Sequence, residues 1–210
     1  MSMSTRELYE GVWEALPEGV QPLLAKARLA FLLGGLADGA RVLDVGCGEG
    51  WFTQALREAG FSAIGADVAA EPLRRARLRD PDIDLQLLNE RGPWPFADAH
   101  FDAVWAGETI EHVADTAGWL SELRRVLRPE GALLLSTPAH DVLRVLALAL
   151  LPGAFGAHFD PRSDHLRFYT RRSLRALLAD FRFVEIEVSG LGGLPGARTC
   201  LLASARRARF

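Results

Sequence analysis

Val42–Thr53 reads VLDVGCGEGWFT, an apolar run that passes through three alternating glycines straight into a second run with helical spacing. Arg41–Val45 is short, apolar and β-rich, as a strand buried on both faces must be, and Trp51–Ala59 reads as the helix that follows. Between them Gly46, Gly48 and Gly50 can take positive φ and let a ligand approach the backbone, while the helix start directs unpaired N–H groups at an anionic group. This is the layout of a nucleotide-type cofactor turn. A dinucleotide fingerprint beginning at Gly46 would need a third glycine at position 51, where Trp51 stands, and no Walker lysine follows the glycines. A ligand-free turn joining strand to helix is the alternative.

Outward from this turn, strand and helix signals alternate, which implies a parallel sheet with right-handed crossovers. Strands are expected at 41–46, 63–67, 84–88, 101–106 and 132–137, with helices after the first, second and fourth. A helical segment over Thr5–Leu36, broken near Pro17 and Pro22, precedes them as an N-terminal cap (1–36). After a helix over Arg171–Asp180, two further β-rich runs, 183–188 and 199–205, are joined by the glycine-rich 190–196. The expectation is one domain over 1–210 with a substrate lid at 139–163. The lid's apolar run VLRVLALALLPGAF, Val142–Phe155, exceeds what a connector requires. It could serve a greasy substrate, a membrane surface or a homodimer interface, or simply pack as a helix on the sheet.

With 210 residues and 49% hydrophobic composition, the chain can build one sizeable core. A net charge of −3 and a pI near 6.0 argue against a nucleic-acid footprint, so DNA is not expected and RNA is disfavoured. The arginine clusters at 74–79, 124–128 and 171–175 are expected on solvated helix faces. The N-terminus lacks a secretory pattern, and Cys47 and Cys200 lack metal-ligand spacing, so a cytoplasmic, reducing location is expected. No apolar run approaches the ~20 residues that span a bilayer.

The glycine stretch resembles motif I of the class I S-adenosylmethionine-dependent methyltransferases. GADVAAEPLRRAR, Gly65–Arg77, is similar to the family's second motif, and PWPFADAHFDAVWAG, Pro93–Gly107, to the stretch leading into its fourth strand. The resemblance covers roughly Arg41–Ala205. It implies an α/β, Rossmann-like, doubly wound sheet of seven mostly parallel strands with an antiparallel edge hairpin and helices on both faces. It also implies S-adenosylmethionine as cofactor, with contacts from Asp44, Gly46, Cys47, Gly48, Gly50, Asp67, Val68, Asn89, Glu90 and Gly107. Asp67, closing the second strand, can accept from both ribose hydroxyls, or alternatively cap the next helix. Many relatives carry an aspartate near adenine at the end of strand three; this chain has Leu87, Leu88 and then Asn89, followed by an insertion around Arg91 and Gly92.

Ligands in an open parallel sheet gather at the carboxyl ends of the strands, so the GETIEHV segment after strand four faces the chemistry. Glu108, Glu111 and His112 stand at i, i+3 and i+4, one side of a helical turn, and His165 in DHLRFYT offers a fourth ligand. These four could hold magnesium, manganese or zinc and lower the pKa of a hydroxyl to be methylated. The quinone-biosynthesis O-methyltransferases carry a similar glutamate-glutamate-histidine turn, and small-RNA 2′-O-methyltransferases a like quartet. His112 or His165 as a general base, or acidic residues that merely complement a helix dipole, are the alternatives. The reading is a methyltransferase acting on a hydroxyl oxygen of a small, apolar acceptor, a phenol or quinol for example. Nitrogen, carbon, sugar and RNA acceptors stay open. Its rivals are a non-catalytic cofactor-binding module with a blocked acceptor pocket, and a nicotinamide-dependent reductase.

Overall fold

The computed structural model describes residues 4–90, 92–160 and 162–209, the side chains of Thr5 and Pro152 excepted; the expected insertion at Arg91 lies partly outside them. Two helices, α1 (Thr5–Ala15) and α2 (Ala25–Gly34), lead into β1 (Arg41–Val45), α3 (Trp51–Glu58), β2 (Ser62–Asp67), α4 (Ala70–Arg79), β3 (Leu85–Leu87) and β4 (Phe101–Gly107). A 3-10 turn (Ile110–His112), α5 (Thr116–Val126), β5 (Leu127–Pro138), α6 (Val142–Ala149), α7 (Pro152–His158), α8 (Arg171–Asp180), β6 (Phe183–Leu191) and β7 (Cys200–Arg207) complete the chain. One seven-stranded sheet runs β3-β2-β1-β4-β5-β7-β6, parallel from β3 to β5 and antiparallel for β7 and β6. The expected Rossmann-like, doubly wound sheet with an antiparallel edge hairpin is therefore present.

The central strands are apolar throughout because each face meets helices. Along β1 and β4 successive side chains alternate between two clusters. Leu43, Val45 and Val104 join Leu120, Leu123, Leu174 and Leu178 of α5 and α8. Val42, Ala103 and Trp105 join Leu32, Phe52 and Leu56 of α2 and α3. β5 begins earlier than expected: Leu127 already pairs with Phe101, and the register then shifts before Ala103 meets Ala132. Arg128–Gly131 bulges out between these pairings, with Glu130 in the left-handed region, and this hides the early strand from a periodicity reading. Arg128 is thus in a strand, not on a helix.

One expected solvated face is a buried clasp. Arg75 of α4 is 6% exposed; its guanidinium donates to Glu71 (2.8 Å), to the Trp13 and Leu16 carbonyls (2.7 and 3.0 Å) and to Glu49 (3.4 Å). It ties α1 to α4 and to the glycine turn. From the other side Glu10 accepts the Ala70 and Glu71 N–H groups at 2.6 and 2.9 Å, so a carboxylate from α1 caps the orphan donors of α4. Arg6 donates to the carbonyls of Val68 (3.1 Å) and Leu88 (2.8 Å). The N-terminal helix is a cap fastened by charge rather than by apolar burial.

The segment expected as a lid forms α6 and α7. No residue of α6 is buried, and Val142, Leu143, Leu146, Leu150 and Leu151 are exposed. Among the described residues no helix is long and apolar enough to cross a membrane.

Replacing Arg75 by Met removes the donor of the Trp13 and Leu16 carbonyls, whereas Glu71 keeps Arg74, and it should lower the denaturation midpoint more than Arg74→Met does. Denaturant unfolding of the two variants measures this, and an equal loss for both would contradict the clasp.

Candidate active site

The order β3-β2-β1 reverses direction at β4, so a crevice opens outside the carboxyl ends of β1 and β4, the topological switch point. The glycine turn forms one wall and the Gly107–His112 segment the other. Gly46, Gly48 and Gly50 all have positive φ (69°, 53° and 74°). A Cβ on Gly46 would lie 2.5 Å from Thr109 Oγ1, and one on Gly48 would lie 2.7 Å from the Trp13 indole. Strand four and the cap helix therefore sit against backbone that no side chain could screen. Thr109 Oγ1 also donates to the Val45 carbonyl at 3.1 Å, joining the two strand ends.

Asp67 closes β2 and is buried. The N–H groups of Gly48 and Ala69 donate to its two oxygens, each at 3.0 Å, and each oxygen retains a second acceptor position. Burial pushes its carboxyl above the usual range against those bonds. It holds the glycine turn and the residue before α4, but it does not cap that helix, whose first N–H groups are taken by Glu10. Asp44 lies beneath the turn, accepts from Thr53 Oγ1 at 2.7 Å, and is pushed up to about 7, chiefly by burial. Cys47 is half-buried and burial raises its thiol, which makes it a packing residue. Val68 is half-buried and holds Arg6 through its carbonyl. Asn89 is exposed with its amide 3.4 Å from the Pro93 carbonyl, and a Glu90 carboxylate oxygen accepts the Arg6 N–H at 3.4 Å.

Arg28 was not legible in the sequence as a site residue. It is 2% exposed; its guanidinium lies over the Phe52 and Trp105 rings at 5.0 and 5.8 Å, and Nη1 donates to the Leu23 carbonyl. Its Nε has no partner, and no carboxylate forms an ion pair with it among the described residues. A Cβ on Gly107 would lie 2.5 Å from its Nη2, so the missing side chain there admits the guanidinium to the end of β4. A buried cation at the end of β4, with a donor free and its charge acting on Asp44 and Glu111 without an ion pair among the described residues, fits an anionic ligand group.

On the far wall Glu111, His112 and His165 converge: one ligand atom from each lies within 4.8 Å of the others. Glu111 is 1% exposed; Oε2 accepts from Thr137 Oγ1 at 2.9 Å, and Oε1 has no hydrogen bond among the described residues, with His112 Nε2 3.9 Å away. Burial, then the Glu108 charge, pushes its carboxyl up to about 8. His112 Nδ1 is 3.1 Å from the Asp164 carbonyl, which can only accept, so Nδ1 carries the proton and Nε2 presents a lone pair. The His112 and His165 rings meet edge to face at 4.8 Å, and the Tyr9 hydroxyl donates to the His112 carbonyl. Glu108 stands apart from the three. It precedes the 3-10 turn with φ of 57°, and its carboxylate accepts from Cys200 Sγ at 3.5 Å. The helical spacing expected of 108, 111 and 112 is not realised, because the chain turns sharply before the 3-10 segment begins.

Beside this group a cavity of about 390 Å³ opens between α6–α7 and the adjoining ends of β5 and β7, with Glu108, His165, Arg144 and His158 among its lining. His158 Nε2 is 3.1 Å from Nε2 of His140, which burial, with the His158 and Arg144 charges, pushes down to about 4. His140, Arg144 and His158 carry no local motif. Only their place in the lid, after the end of β5, hints at a role.

Asp44 supplies a pH test. Its folded-state pKa lies above the ordinary 3.8, so its contribution to stability is full below about 3.8 and is lost as pH rises through about 7. Asp44→Asn keeps an acceptor for Thr53 and should melt higher than the wild type at pH 8, with the gap closing toward pH 4. An equal gap at both pH values would contradict the shift.

A methyltransferase-domain family model matches residues 16–188. Malonyl-[acyl-carrier protein] O-methyltransferase of Erwinia billingiae is 39% identical over 119 residues, covering 54% of this chain and 45% of that protein. Ubiquinone biosynthesis O-methyltransferase of a Bradyrhizobium species is 30% identical over 174 residues, covering 79% and 67%. The chain thus spans less than half of the first relative's length and about two thirds of the second's. Among solved structures, an S-adenosylmethionine-dependent methyltransferase from Mesorhizobium loti shares the fold with a TM-score of 0.67 at 23% identity, over 85% of this chain and 96% of that one. One from Methanosarcina mazei gives 0.62 at 23%, over 85% and 97%. The chain belongs to the class I S-adenosylmethionine-dependent methyltransferase family.

Proposed function

We propose that the protein transfers a methyl group from S-adenosylmethionine to a hydroxyl oxygen of a small, largely apolar acceptor seated in the cavity under α6 and α7. The observation that carries this reading is the convergence of Glu111, His112 and His165 beside that cavity, with a buried carboxylate oxygen left unpartnered. The O-methyltransferase relatives support it. A binding module without catalysis would have a blocked acceptor pocket, and a cavity of about 390 Å³ speaks against that.

The cofactor supplies an already activated methyl group, so the protein's work is binding, alignment and proton acceptance. Arg28 is suited to the carboxylate of the methionine part, the glycine backbone to its chain, and Asp67 to the ribose hydroxyls. Asn89 and Glu90, just after β3, are suited to the adenine end. The cap helix, through Trp13 over Gly48, shields the crevice from water. His165 lines the acceptor cavity and takes the hydroxyl proton, with His112 and the unpartnered Glu111 oxygen beside it. The exposed Leu143 and Leu146 of α6, Leu150 and Leu151 after it, and Phe155 of α7 suit a lipophilic acceptor or a docking face over 142–155.

The same three side chains favour a second reading, in which they hold a divalent cation. Two imidazoles and one carboxylate suit manganese or zinc better than magnesium. Such an ion would lower the pKa of the acceptor hydroxyl. Calorimetric titration of each metal into the S-adenosylhomocysteine complex should show binding that Glu111→Gln and His165→Ala each abolish. No binding to the wild type would overturn the metal reading and leave proton acceptance to the histidines.

For the cofactor contacts, Arg28→Met and Asp67→Ala should each weaken S-adenosylhomocysteine binding about tenfold or more, the value of a charge-assisted hydrogen bond. Unchanged affinity in a folded variant would remove that residue from the site.

A further inference from the structure

The acceptor cavity carries a positive charge that the reaction does not use. Arg144 rises from α6, is half-buried, and lines the cavity with His158 and His165. Its Nη1 donates to the carbonyls of Arg198 (3.2 Å) and Thr199 (3.4 Å), which fix the guanidinium plane against the start of β7. Among the described residues its Nη2 and Nε have no hydrogen-bond partner and no carboxylate pairs with it. The nearby carboxylate of the lining, Glu108, is engaged with the Cys200 thiol. What stays open is the Nη2–Nε edge, two parallel N–H donors on a rigid fork, and that edge matches the two oxygens of a carboxylate. Burial, then the Arg144 charge, lowers the pKa of His158 beside it, whose ring can share in the anion's hydrogen bonding.

We propose that Arg144 anchors a carboxylate on the methyl acceptor, so that the substrate is a hydroxylated acid rather than a neutral phenol or alcohol. The proposal rests on the hydroxyl-acceptor reading above and assigns the two ends of the molecule. The carboxylate meets Arg144 on the lid, and the hydroxyl faces His165 on the sheet side. Leu23, Leu24 and Ala157 of the lining cover the body between them. Arg144 is a specificity residue here and touches no reacting atom.

Three probes separate this from the parent reading: 3,4-dihydroxybenzoate, its methyl ester, and 3,4-diaminobenzoate, titrated into the S-adenosylhomocysteine complex. Both acids should bind at least about tenfold more tightly than the ester, the difference expected for one bidentate charge-assisted pair. Arg144→Met should erase that preference while S-adenosylhomocysteine affinity is kept, and Arg144→Lys, which retains the charge and not the fork, should restore part of it. Equal binding of acid and ester by the wild type, failure of either acid to bind at millimolar concentration, or a preference that survives Arg144→Met would each overturn the proposal. Failure of the hydroxyl reading looks different: the carboxylate preference persists while methyl transfer occurs only on the diamino acid.

Discussion

Close approach of backbone to backbone at the end of β1 is the constraint on which the rest of the site depends. Gly46 and Gly48 leave no room for a Cβ, because Thr109 from the end of β4 and Trp13 from the cap helix occupy that space. Thr109 ties the turn to β4 and Asp67 ties it to β2, so three strand ends are held in one frame by two side-chain hydrogen bonds. This turn lies where the strand order reverses, and the crevice it frames is therefore a consequence of topology as much as of local sequence.

Charge is placed on the seams of this frame rather than on its outside. Glu10, Arg75 and Glu49 fasten the cap helix around the turn, while Asp44, Glu111 and Arg28 are buried within a few side chains of the crevice. The first group is mutually satisfied. In the second, Glu111 Oε1 and Arg28 Nε are left without partners, and both carboxyls are pushed well above the usual range. Burial without full pairing is a cost to folding that a binding site accepts because a ligand relieves it. That asymmetry marks out the crevice from the equally charged but satisfied clasp.

The sheet was legible because its signals are local. Short apolar β-rich runs such as Val42–Val45 and Ala103–Trp105, and glycines at fixed offsets, depend only on neighbours in sequence. Asp67 followed for the same reason. What escaped depends on contacts between segments far apart. Arg75 looks like one of several arginines on a polar helix until α1 folds over it, and Arg28 and Arg144 carry no motif at all. The Glu108–His112 segment shows a different limit. Its spacing is helical on paper, but a left-handed residue at 108 and a 3-10 turn after it send Glu108 toward Cys200 and leave Glu111 and His112 to meet His165. Residue types were readable there, and the backbone path was not.

The most direct measurement of the central claim is a calorimetric titration of the purified protein with S-adenosylhomocysteine and, separately, with NADH. Saturable one-to-one binding of S-adenosylhomocysteine with no heat from NADH is expected of a glycine turn that ends in Trp51 and is faced by Arg28 and Asp67. Binding of NADH without binding of S-adenosylhomocysteine would contradict the assignment of the crevice and everything built on it.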